Sequence, residues 1–329
     1  MKVCVYTIAK NEAKFVGRWV DSAKEADVLC VTDTGSADGA ADLLRGMGVT
    51  VTEADITPFR FDTARNISLE AIPPDIDVCV CADMDEVLTP GWRLALERAW
   101  SGGVTRMSYR YIWSFNPDGS PGVSFWADKI HAREGYKWAG PVHETLKPSI
   151  RENISVCYGF EIRHKPDSRK SRSAYLPLLE LAIAEEPEND RNTHYLGREY
   201  MYYGRDIDAV NTLKRHLLLK SAIWRDERSA SMRYIARCCL RMGDEAAARL
   251  WLLRAMAEAP YLREPYVEMA FIEDRRKDSC AVLELAEKAV SLEPRPGTYL
   301  VEGFAYDGTI YDLAALACFR LGRKREALA

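Results

Sequence analysis

The sequence contains no hydrophobic run that would cross a membrane. None of its apolar stretches approaches the roughly 20 residues that a membrane-spanning helix requires. The N-terminal residues lead directly into an apolar strand, without the hydrophobic segment of a secretory signal peptide. We therefore expect a cytoplasmic protein with no membrane span. Its 329 residues and apolar fraction of 47% are enough for two domains with well-packed cores.

Cysteine is used in a way that excludes two common roles. The nine cysteines are an odd number and show neither a disulfide framework nor the paired spacing of a structural zinc site. Most of them lie within apolar segments, and Cys79 and Cys81 alternate along a single apolar run. We interpret these cysteines as core residues of buried strands and helices.

The most informative stretch is residues 78–86, an apolar run that ends in three carboxylates. Residues 78–82 lack polar alternation, which predicts a strand buried on both faces of a mainly parallel sheet. Asp83, Asp85 and Glu86 then lie at the carboxyl end of that strand, where open α/β sheets bind their ligands. Two aspartates separated by one residue repel each other unless a cation lies between them. Taken alone, the pattern is more often a solvated acidic turn, so its meaning depends on the rest of the chain.

The first half of the chain alternates strands and helices. Apolar runs predict strands at residues 3–8, 28–32, 49–52 and 78–82, and Asn11 and Asp62 are placed to cap two of the intervening helices. This alternation predicts a parallel sheet with helices on both faces. Residues 104–164 are rich in Trp, Tyr, Phe and Gly. We expect them to form loops and antiparallel strands that close over the ligand edge of the sheet.

The second half has a helical pattern and a repeat. Small residues at positions 197, 236, 270 and 315 are separated by 39, 34 and 45 residues, and a glycine follows three of them by seven residues. Pro260 and Pro294 are also 34 residues apart. A helix-turn-helix unit of about 34 residues with small residues at the helix crossing is typical of tetratricopeptide repeats. The alternative is a plain helical domain without repeats.

Four segments of the first half together resemble family 2 glycosyltransferases, which have the GT-A fold. In chain order they are Thr7-Ile8-Ala9-Lys10-Asn11-Glu12, Asp33-Thr34-Gly35-Ser36-Ala37-Asp38-Gly39, Ala64-Arg65-Asn66 and Asp83-Met84-Asp85-Glu86. Their order and spacing are similar to those of the family over residues 1–100. The resemblance implies an α/β GT-A domain, Rossmann-like with a mainly parallel sheet, at residues 1–170. The repeat predicts an all-α helical-repeat domain at residues 171–329.

The resemblance also implies an activity. The protein would move a sugar from a nucleotide sugar, with a UDP-sugar favoured, to a hydroxyl group with inversion at the anomeric carbon. Thr7, Asn11 and Glu12 would belong to the nucleotide site. Residue chemistry agrees, because Asp33 ends a strand and can accept a hydrogen bond from a uracil N3–H or a ribose hydroxyl. Arg65 offers a permanently charged fork that suits a diphosphate.

A metal ion and a general base complete the site that the resemblance implies. Mn²⁺ or Mg²⁺ would be held by Asp85, with Asp83 contributing through the nucleotide or a water, and by a downstream histidine. We assign that ligand to His164; the rival assignment places His143 on the metal and His164 near the phosphates. Residues 138–144 resemble an acceptor-side loop of the family. Glu144 is therefore the expected general base, which takes the proton of the acceptor hydroxyl.

Two further groups of residues are open to two interpretations each. Lys129, His131 and Arg133 alternate along one predicted strand and share a face, which either contacts phosphates or is a solvated edge. Four aromatic residues are either stacking platforms for a sugar or base, or core residues: Trp113, Phe115, Trp126 and Trp138.

The sequence leaves the acceptor open. Helical repeats form grooves that hold extended polymers, which favours a polymeric saccharide or a peptide. Net charges of +4 at residues 163–172 and +6 at residues 214–241 would also suit the backbone of DNA. One alternative is therefore a phage-type transferase that acts on a hydroxymethylated DNA base, which it would have to extrude from the duplex. A second alternative is a non-catalytic repeat scaffold.

Overall fold

The chain forms two compact units, Met1–Arg172 and Ser173–Ala329. The computed structural model describes residues 1–167, 175–292 and 297–328. The expected boundary between residues 170 and 171 and the repeat marker Pro294 lie outside these described residues. Among the helices described, none has the length and apolarity to span a bilayer.

A mixed sheet forms the centre of the first unit. The strands are β1 Val3–Ala9, β2 Val28–Asp33, β3 Thr50–Glu53, β4 Val78–Cys81, β5 Glu86–Leu88, β6 Arg106–Ile112, β7 Ser124–Ala132, β8 Tyr136–Ala139, β9 Thr145–Pro148 and β10 Ile154–His164. Eight of them are ordered β3-β2-β1-β4-β7-β6-β10-β5, and β8 pairs with β9. The first four strands are parallel. The helices of this unit are α1 Ala13–Ala23, α2 Ala40–Gly46, α3 Phe61–Glu70 and α4 Trp92–Ala99. This is the α/β architecture with parallel central strands that the sequence predicted.

The central strands of this sheet are buried on both faces. Alternate residues of β1 and β4 enter two separate apolar cores, one containing Val3, Val5, Val78 and Val80 and the other Cys4, Tyr6, Cys79 and Cys81. Every residue of β4 is buried, and its cysteines are unpaired. The prediction of a doubly buried strand with cysteines as core residues is confirmed.

Some details of the first unit correct the expectation from the sequence. Strands β6, β7 and β10 extend the central sheet instead of closing over its ligand edge, because β7 pairs antiparallel with β4. Asn11 does not cap α1; its Oδ1 accepts a hydrogen bond from the backbone N–H of Ala37 at 2.8 Å. Asp62 lies inside the first turn of α3 and binds Arg60.

The second unit is a succession of packed helices. They are α5 Tyr175–Glu185, α6 Asp190–Tyr202, α7 Asp206–Leu218, α8 Arg225–Arg241, α9 Glu245–Glu258, α10 Glu264–Arg275, α11 Ser279–Val290 and α12 Thr309–Arg320. A Cβ at Gly197 would lie 2.5 Å from Leu213 Cγ, so the approach of α6 to α7 requires glycine. Ala236 and Ala270 are fully buried, whereas Ala315 is only partly buried. The helical-repeat domain predicted from the sequence is confirmed.

Four helices of the second unit are followed by a residue in the left-handed conformation. Gly204, Gly243 and Gly322 follow α6, α8 and α12 with φ angles of +71°, +82° and +74°. In the corresponding place after α10, Lys277 has the same left-handed conformation, with φ +59°. Glycine adopts this conformation without the clash that a Cβ introduces.

Replacing Lys277 with glycine should raise the free energy of unfolding by about 0.5–1 kcal/mol, because the left-handed strain of a non-glycine residue is removed. The reciprocal change Gly243→Ala should lower it by about 1 kcal/mol. Urea unfolding of both variants measures the two effects. A less stable Lys277→Gly variant would contradict this account of the repeat.

Candidate active site

The carboxyl ends of neighbouring parallel strands bring the sequence motifs together. β1 lies between β2 and β4, and the register pairs Ala9 with Asp33 and Tyr6 with Cys81. The turn after β1, the turn after β2 and the acidic segment after β4 therefore open at the same edge of the sheet. This is the edge at which open α/β sheets bind ligands.

Asp33 stabilises the turn after β2 through one carboxylate oxygen, while its other oxygen accepts no hydrogen bond from the described residues. Its Oδ1 accepts backbone hydrogen bonds from Gly35 at 3.0 Å and Ser36 at 2.8 Å. Asp33 is 3% exposed, and its Oδ2 is buried with no hydrogen-bond partner among the described residues. Because a buried carboxylate oxygen without a donor is unfavourable, this atom suits an N–H or O–H group of a ligand.

The other residues expected at the nucleotide end shape the surroundings of this turn. Thr7 is fully buried, and its hydroxyl donates to the carbonyl oxygen of Ile8 at 3.3 Å. Glu12 is buried just before α1. Asn11 connects the turn after β1 to the turn after β2 through its hydrogen bond with Ala37.

A network of two cations and three carboxylates adjoins the acidic segment; Arg65 and Glu86 are buried, whereas the side chains of Lys129 and Asp83 are 28% and 31% exposed. The Arg65 side chain, 5% exposed, donates from Nη2 to Asp83 Oδ1 at 2.7 Å and from Nε to Glu144 Oε1. Lys129 Nζ lies 3.2 Å from Asp83 Oδ2 and 3.8 Å from Glu86 Oε1. Each oxygen of Asp83 therefore faces one of the two cations.

Burial and charge act in opposite directions on this network. Burial raises the pKa of Asp83, but the charges of Arg65 and Lys129 outweigh it and hold that pKa well below its ordinary value. Burial raises the pKa of Glu86, whose carboxylate accepts hydrogen bonds from the Tyr111 hydroxyl at 2.7 Å and the Asp83 backbone N–H at 2.8 Å. Asp83 is thus fixed as a carboxylate between two positive groups.

Asp85 and His164 are brought together, as the sequence predicted for a metal site. His164 Nε2 lies 3.4 Å from Asp85 Oδ2, and His164 Nδ1 lies 3.2 Å from the carbonyl oxygen of Trp113. Since a carbonyl only accepts, Nδ1 carries a proton and Nε2 is directed at Asp85. The imidazole also stacks on the Trp113 ring, with centroids 4.3 Å apart. Burial lowers the pKa of His164, but the hydrogen bond and charge of Asp85 outweigh burial and raise it overall.

The donor atoms of this pair suit a divalent cation. A carboxylate oxygen and an imidazole nitrogen are ordinary ligands of Mn²⁺, and Mg²⁺ commonly takes one or two carboxylates together with phosphate oxygens and waters. In the described part of the chain, no group of three or more His, Cys, Asp and Glu side chains is arranged to hold a metal. Asp83 faces Arg65 and Lys129, so Asp85 and His164 are the direct protein donors that fit.

Glu144 lies on a turn that is anchored to the start of α3. The backbone N–H of Gly140 donates to Asp62 Oδ2 at 2.9 Å, and the backbone N–H of Phe61 donates to the carbonyl oxygen of Pro141 at 3.0 Å. The Glu144 side chain is 10% exposed and uses Oε1 to bind Arg65. The anchoring through Asp62 was not foreseen from the sequence, which presents Asp62 only as a helix cap.

The side chains of Lys129, His131 and Arg133 do not form one solvated edge, because each lies in different surroundings. Lys129 belongs to the network of cations and carboxylates, His131 is fully buried against Tyr6, and Arg133 donates to the carbonyl oxygen of Ile72 at 2.9 Å. The cause is the position of β7 between β4 and β6, inside the sheet.

Burial of His131 should make the stability of the protein depend on pH. Burial lowers the pKa of His131 from 6.5 to about 4, so the unfolded chain takes up a proton that the folded protein resists. This contribution to stability is present above pH 6.5 and is lost as the pH falls towards 4, by about 3 kcal/mol. Urea unfolding should show a correspondingly weaker pH dependence for His131→Gln. The same pH dependence in both proteins would contradict this.

The aromatic candidates divide into exposed rings and core. Trp113 and Trp126 are 50% and 51% exposed, so both keep a free surface for stacking. Phe115 lies below the ammonium group of Lys165, at 5.4 Å. Trp138 is 2% exposed and is a core residue, which excludes it as a stacking platform.

Half of the basic residues in the second unit's basic stretch form ion pairs with carboxylates from other parts of that unit. Four of its arginines form ion pairs within the described residues: Arg228 with Glu258, Arg233 with Glu268, Arg237 with Glu302 and Arg241 with Asp206. In the first basic stretch, Arg163 pairs with Glu161, whereas Arg169, Lys170 and Arg172 lie outside the described residues. These ion pairs offset part of the positive charge that the sequence places in the two stretches.

Comparisons with known proteins return matches only among solved structures; no protein family and no curated protein matches the chain. The structure of MamA is 21% identical with a TM-score of 0.38, over 47% of this chain and 82% of that one. Glucosyl-3-phosphoglycerate synthase from Mycobacterium tuberculosis, in complex with Mn²⁺ and uridine-diphosphate-glucose, is 22% identical with a TM-score of 0.28, over 33% and 43%. TarS from S. aureus is 12% identical with a TM-score of 0.37, over 79% and 53%. The neighbours thus include both GT-A glycosyltransferases and tetratricopeptide-containing proteins, and the argument for function rests on the side chains of the site.

Proposed function

We propose that the first unit is a metal-dependent, inverting glycosyltransferase that moves a sugar from a nucleotide sugar to a hydroxyl of a polymeric saccharide or peptide. The observation that carries the proposal is the pairing of Asp85 with His164 at the sheet edge that also holds Asp33. These residues supply, at one edge, donors for a divalent cation and an acceptor for a nucleoside. A DNA acceptor is less favoured, because ion pairs offset part of the positive charge of the second unit.

Asp33 is the proposed nucleoside-binding residue. Its unused Oδ2 accepts one hydrogen bond from the ligand, and the N3–H of uracil or a ribose hydroxyl supplies such a donor. Uracil is favoured because its N3 carries a hydrogen, whereas the equivalent nitrogen of cytosine does not. This supports UDP as the nucleotide part of the donor.

Replacing Asp33 with alanine should weaken the binding of UDP by roughly 10- to 100-fold, the value of a hydrogen bond to a charged group. Calorimetric titration of UDP measures the change. Asp42→Ala, at a side chain that is 90% exposed, should leave the affinity unaltered. Equal affinities for wild type and Asp33→Ala would remove Asp33 from the nucleotide site.

The diphosphate is proposed to lie between the cation network and the metal donors. Arg65 and Lys129 provide the positive charge, and Asp83 fixes the position of both side chains through ion pairs. The planar guanidinium group of Arg65 suits phosphate oxygens. Asp85 and His164 would hold Mn²⁺ or Mg²⁺, with Asp83 contributing through the nucleotide or a water. When bound, the cation neutralises the diphosphate that leaves.

Glu144 is the proposed general base. In the reaction the acceptor oxygen forms a bond to the anomeric carbon, the bond from that carbon to the phosphate oxygen breaks, and the hydroxyl proton passes to the base. Arg65 donates to Oε1 of Glu144 and so fixes the orientation of this carboxylate group. Oε2 then remains for the acceptor hydroxyl.

Measurement of nucleotide release tests the proposal. The full-length protein is incubated with Mn²⁺ and a panel of nucleotide sugars, with and without saccharide and peptide acceptors. We expect release from a UDP-sugar that depends on the cation and increases with one class of acceptor. No release from any donor by the folded protein would overturn the proposal and favour a non-catalytic scaffold.

A further inference from the structure

Three buried polar side chains form a hydrogen-bonded chain beneath the proposed site. The indole N–H of Trp138 donates to the Tyr6 hydroxyl oxygen at 2.8 Å, and that hydroxyl lies 2.8 Å from His131 Nε2. His131 Nδ1 lies 2.7 Å from the carbonyl oxygen of Ala132. Tyr6 and His131 are fully buried and Trp138 is 2% exposed. The chain joins the central strand β1 to β7 and β8.

The donor and acceptor capacities of the three side chains fix the direction of each hydrogen bond in this chain. An indole nitrogen only donates, so the Tyr6 oxygen accepts from it and its own hydrogen points to His131 Nε2. Nε2 is therefore an acceptor, and Nδ1 carries the hydrogen that it donates to Ala132. The lowered pKa of buried His131, about 4, keeps the ring neutral, as this arrangement requires. Each N–H and O–H donor of the chain therefore has an acceptor.

Trp138, at one end of this hydrogen-bonded chain, contacts Arg65. The Arg65 guanidinium lies over the Trp138 ring, with its Cζ 5.1 Å from the ring centroid. The backbone of Trp138 is fixed by Asn66, which donates to its carbonyl oxygen and accepts from its N–H, both at 2.9 Å. With the backbone held by Asn66, the hydrogen bond to the Tyr6 hydroxyl restrains the rotation of the indole ring.

We propose that Tyr6 and His131 are positioning residues that, through the indole of Trp138, fix the surface on which the Arg65 guanidinium lies. Arg65 then keeps two of its edges directed at Asp83 and Glu144. The consequence for phosphate binding rests on the proposed function, in which Arg65 faces the diphosphate. The effect on the orientation of Arg65 does not depend on the proposed function.

The orientation is tested by NMR of the Arg65 Nε–H group in the full-length, ligand-free protein. Tyr6→Phe removes the hydroxyl and should shift and broaden that resonance. The matched control is Tyr136→Phe. Tyr136 lies in the same apolar core, and its ring centroid is 5.2 Å from that of His131. Its hydroxyl, however, donates to Glu152 and not to His131. Trp138→Phe keeps an aromatic face without the N–H and should reproduce the effect of Tyr6→Phe. An Arg65 resonance unchanged in the folded Tyr6→Phe and Trp138→Phe variants overturns the proposal.

A double-mutant cycle on UDP affinity separates positioning from general destabilisation. With Mn²⁺ present, Tyr6→Phe should weaken UDP binding by roughly fivefold to tenfold, and should have no further effect in the Arg65→Lys background. Uridine, which has no phosphate, should bind wild type and Tyr6→Phe equally. Additive effects of the two substitutions overturn the proposal.

The two proposals fail in distinguishable ways. If the wild-type protein binds no nucleoside diphosphate, the proposed function fails, and the NMR comparison alone decides whether Tyr6 positions Arg65. If UDP binds but Tyr6→Phe behaves like Tyr136→Phe in both measurements, the proposed function stands and the positioning role is overturned.

Discussion

Replacing Asp85 with asparagine should slow the release of UDP from a UDP-sugar by about 10²- to 10³-fold, because the charge that faces His164 at 3.4 Å is lost. Neutralisation of a leaving diphosphate by a bound cation contributes several kcal/mol, and each ~1.4 kcal/mol is about tenfold in rate. Asparagine keeps the size of the side chain. The fold should remain intact, since the Asp85 side chain is 21% exposed and anchors no apolar core.

The measurement is the initial rate of nucleotide release at saturating Mn²⁺, with circular dichroism of each variant to verify folding. Asp42→Asn changes an exposed aspartate of the same unit and should retain the wild-type rate. Full turnover by folded Asp85→Asn would remove Asp85 from the metal site.

Replacing Arg65 with alanine should lower the free energy of unfolding by about 3–5 kcal/mol, the range seen when one partner of a buried ion pair is removed. Burial lowers the pKa of Arg65, but the charges of Asp83 and Glu144 more than reverse this and raise it overall. Without Arg65, Glu144 loses its cation and Asp83 keeps only Lys129. The variant also loses the guanidinium proposed to bind the diphosphate.

Urea unfolding of wild type and variant measures this loss of stability. Arg45→Ala is the control, because Arg45 pairs with Glu53 on the surface, with side chains 44% and 64% exposed, and such exposed pairs contribute little to stability. If Arg65→Ala were no more destabilising than Arg45→Ala, the network of cations and carboxylates would not be the structural centre of the site.

Much of the fold follows from local patterns in the sequence. The apolar run before Asp83 is a buried strand because it lacks polar alternation, and the acidic segment follows it at the ligand edge. The glycines that end helices of the repeat follow from the spacing of small residues. Lys277 shows the limit of that reasoning, since the left-handed conformation recurs where the residue type that signals it is absent.

Parts of the site were not predictable because they depend on contacts between distant residues. Lys129 reaches Asp83 across 46 residues of sequence, and the contact exists only because β7 inserts beside β4. The same pairing places His131 in the core. The burial of Trp138 likewise depends on hydrogen bonds to Tyr6 and Asn66, which no periodicity reveals.

The choice between histidines illustrates the same limit. The sequence assigns His164 to the metal and leaves His143 as a rival candidate. The antiparallel pairing of β10 with β5 sets His164 opposite Glu86, one residue beyond Asp85, and so brings His164 to the acidic segment. Its assignment as a metal ligand remains a proposal that metal binding tests.

Calorimetric titration of UDP into the full-length protein, with and without Mn²⁺, tests the central claim most directly. We predict binding that requires the cation and that Asp85→Asn and His164→Ala both abolish, while Asp42→Asn retains it. Binding of equal strength without a divalent cation, or no binding of UDP in its presence, would contradict a metal–diphosphate site at the end of β4.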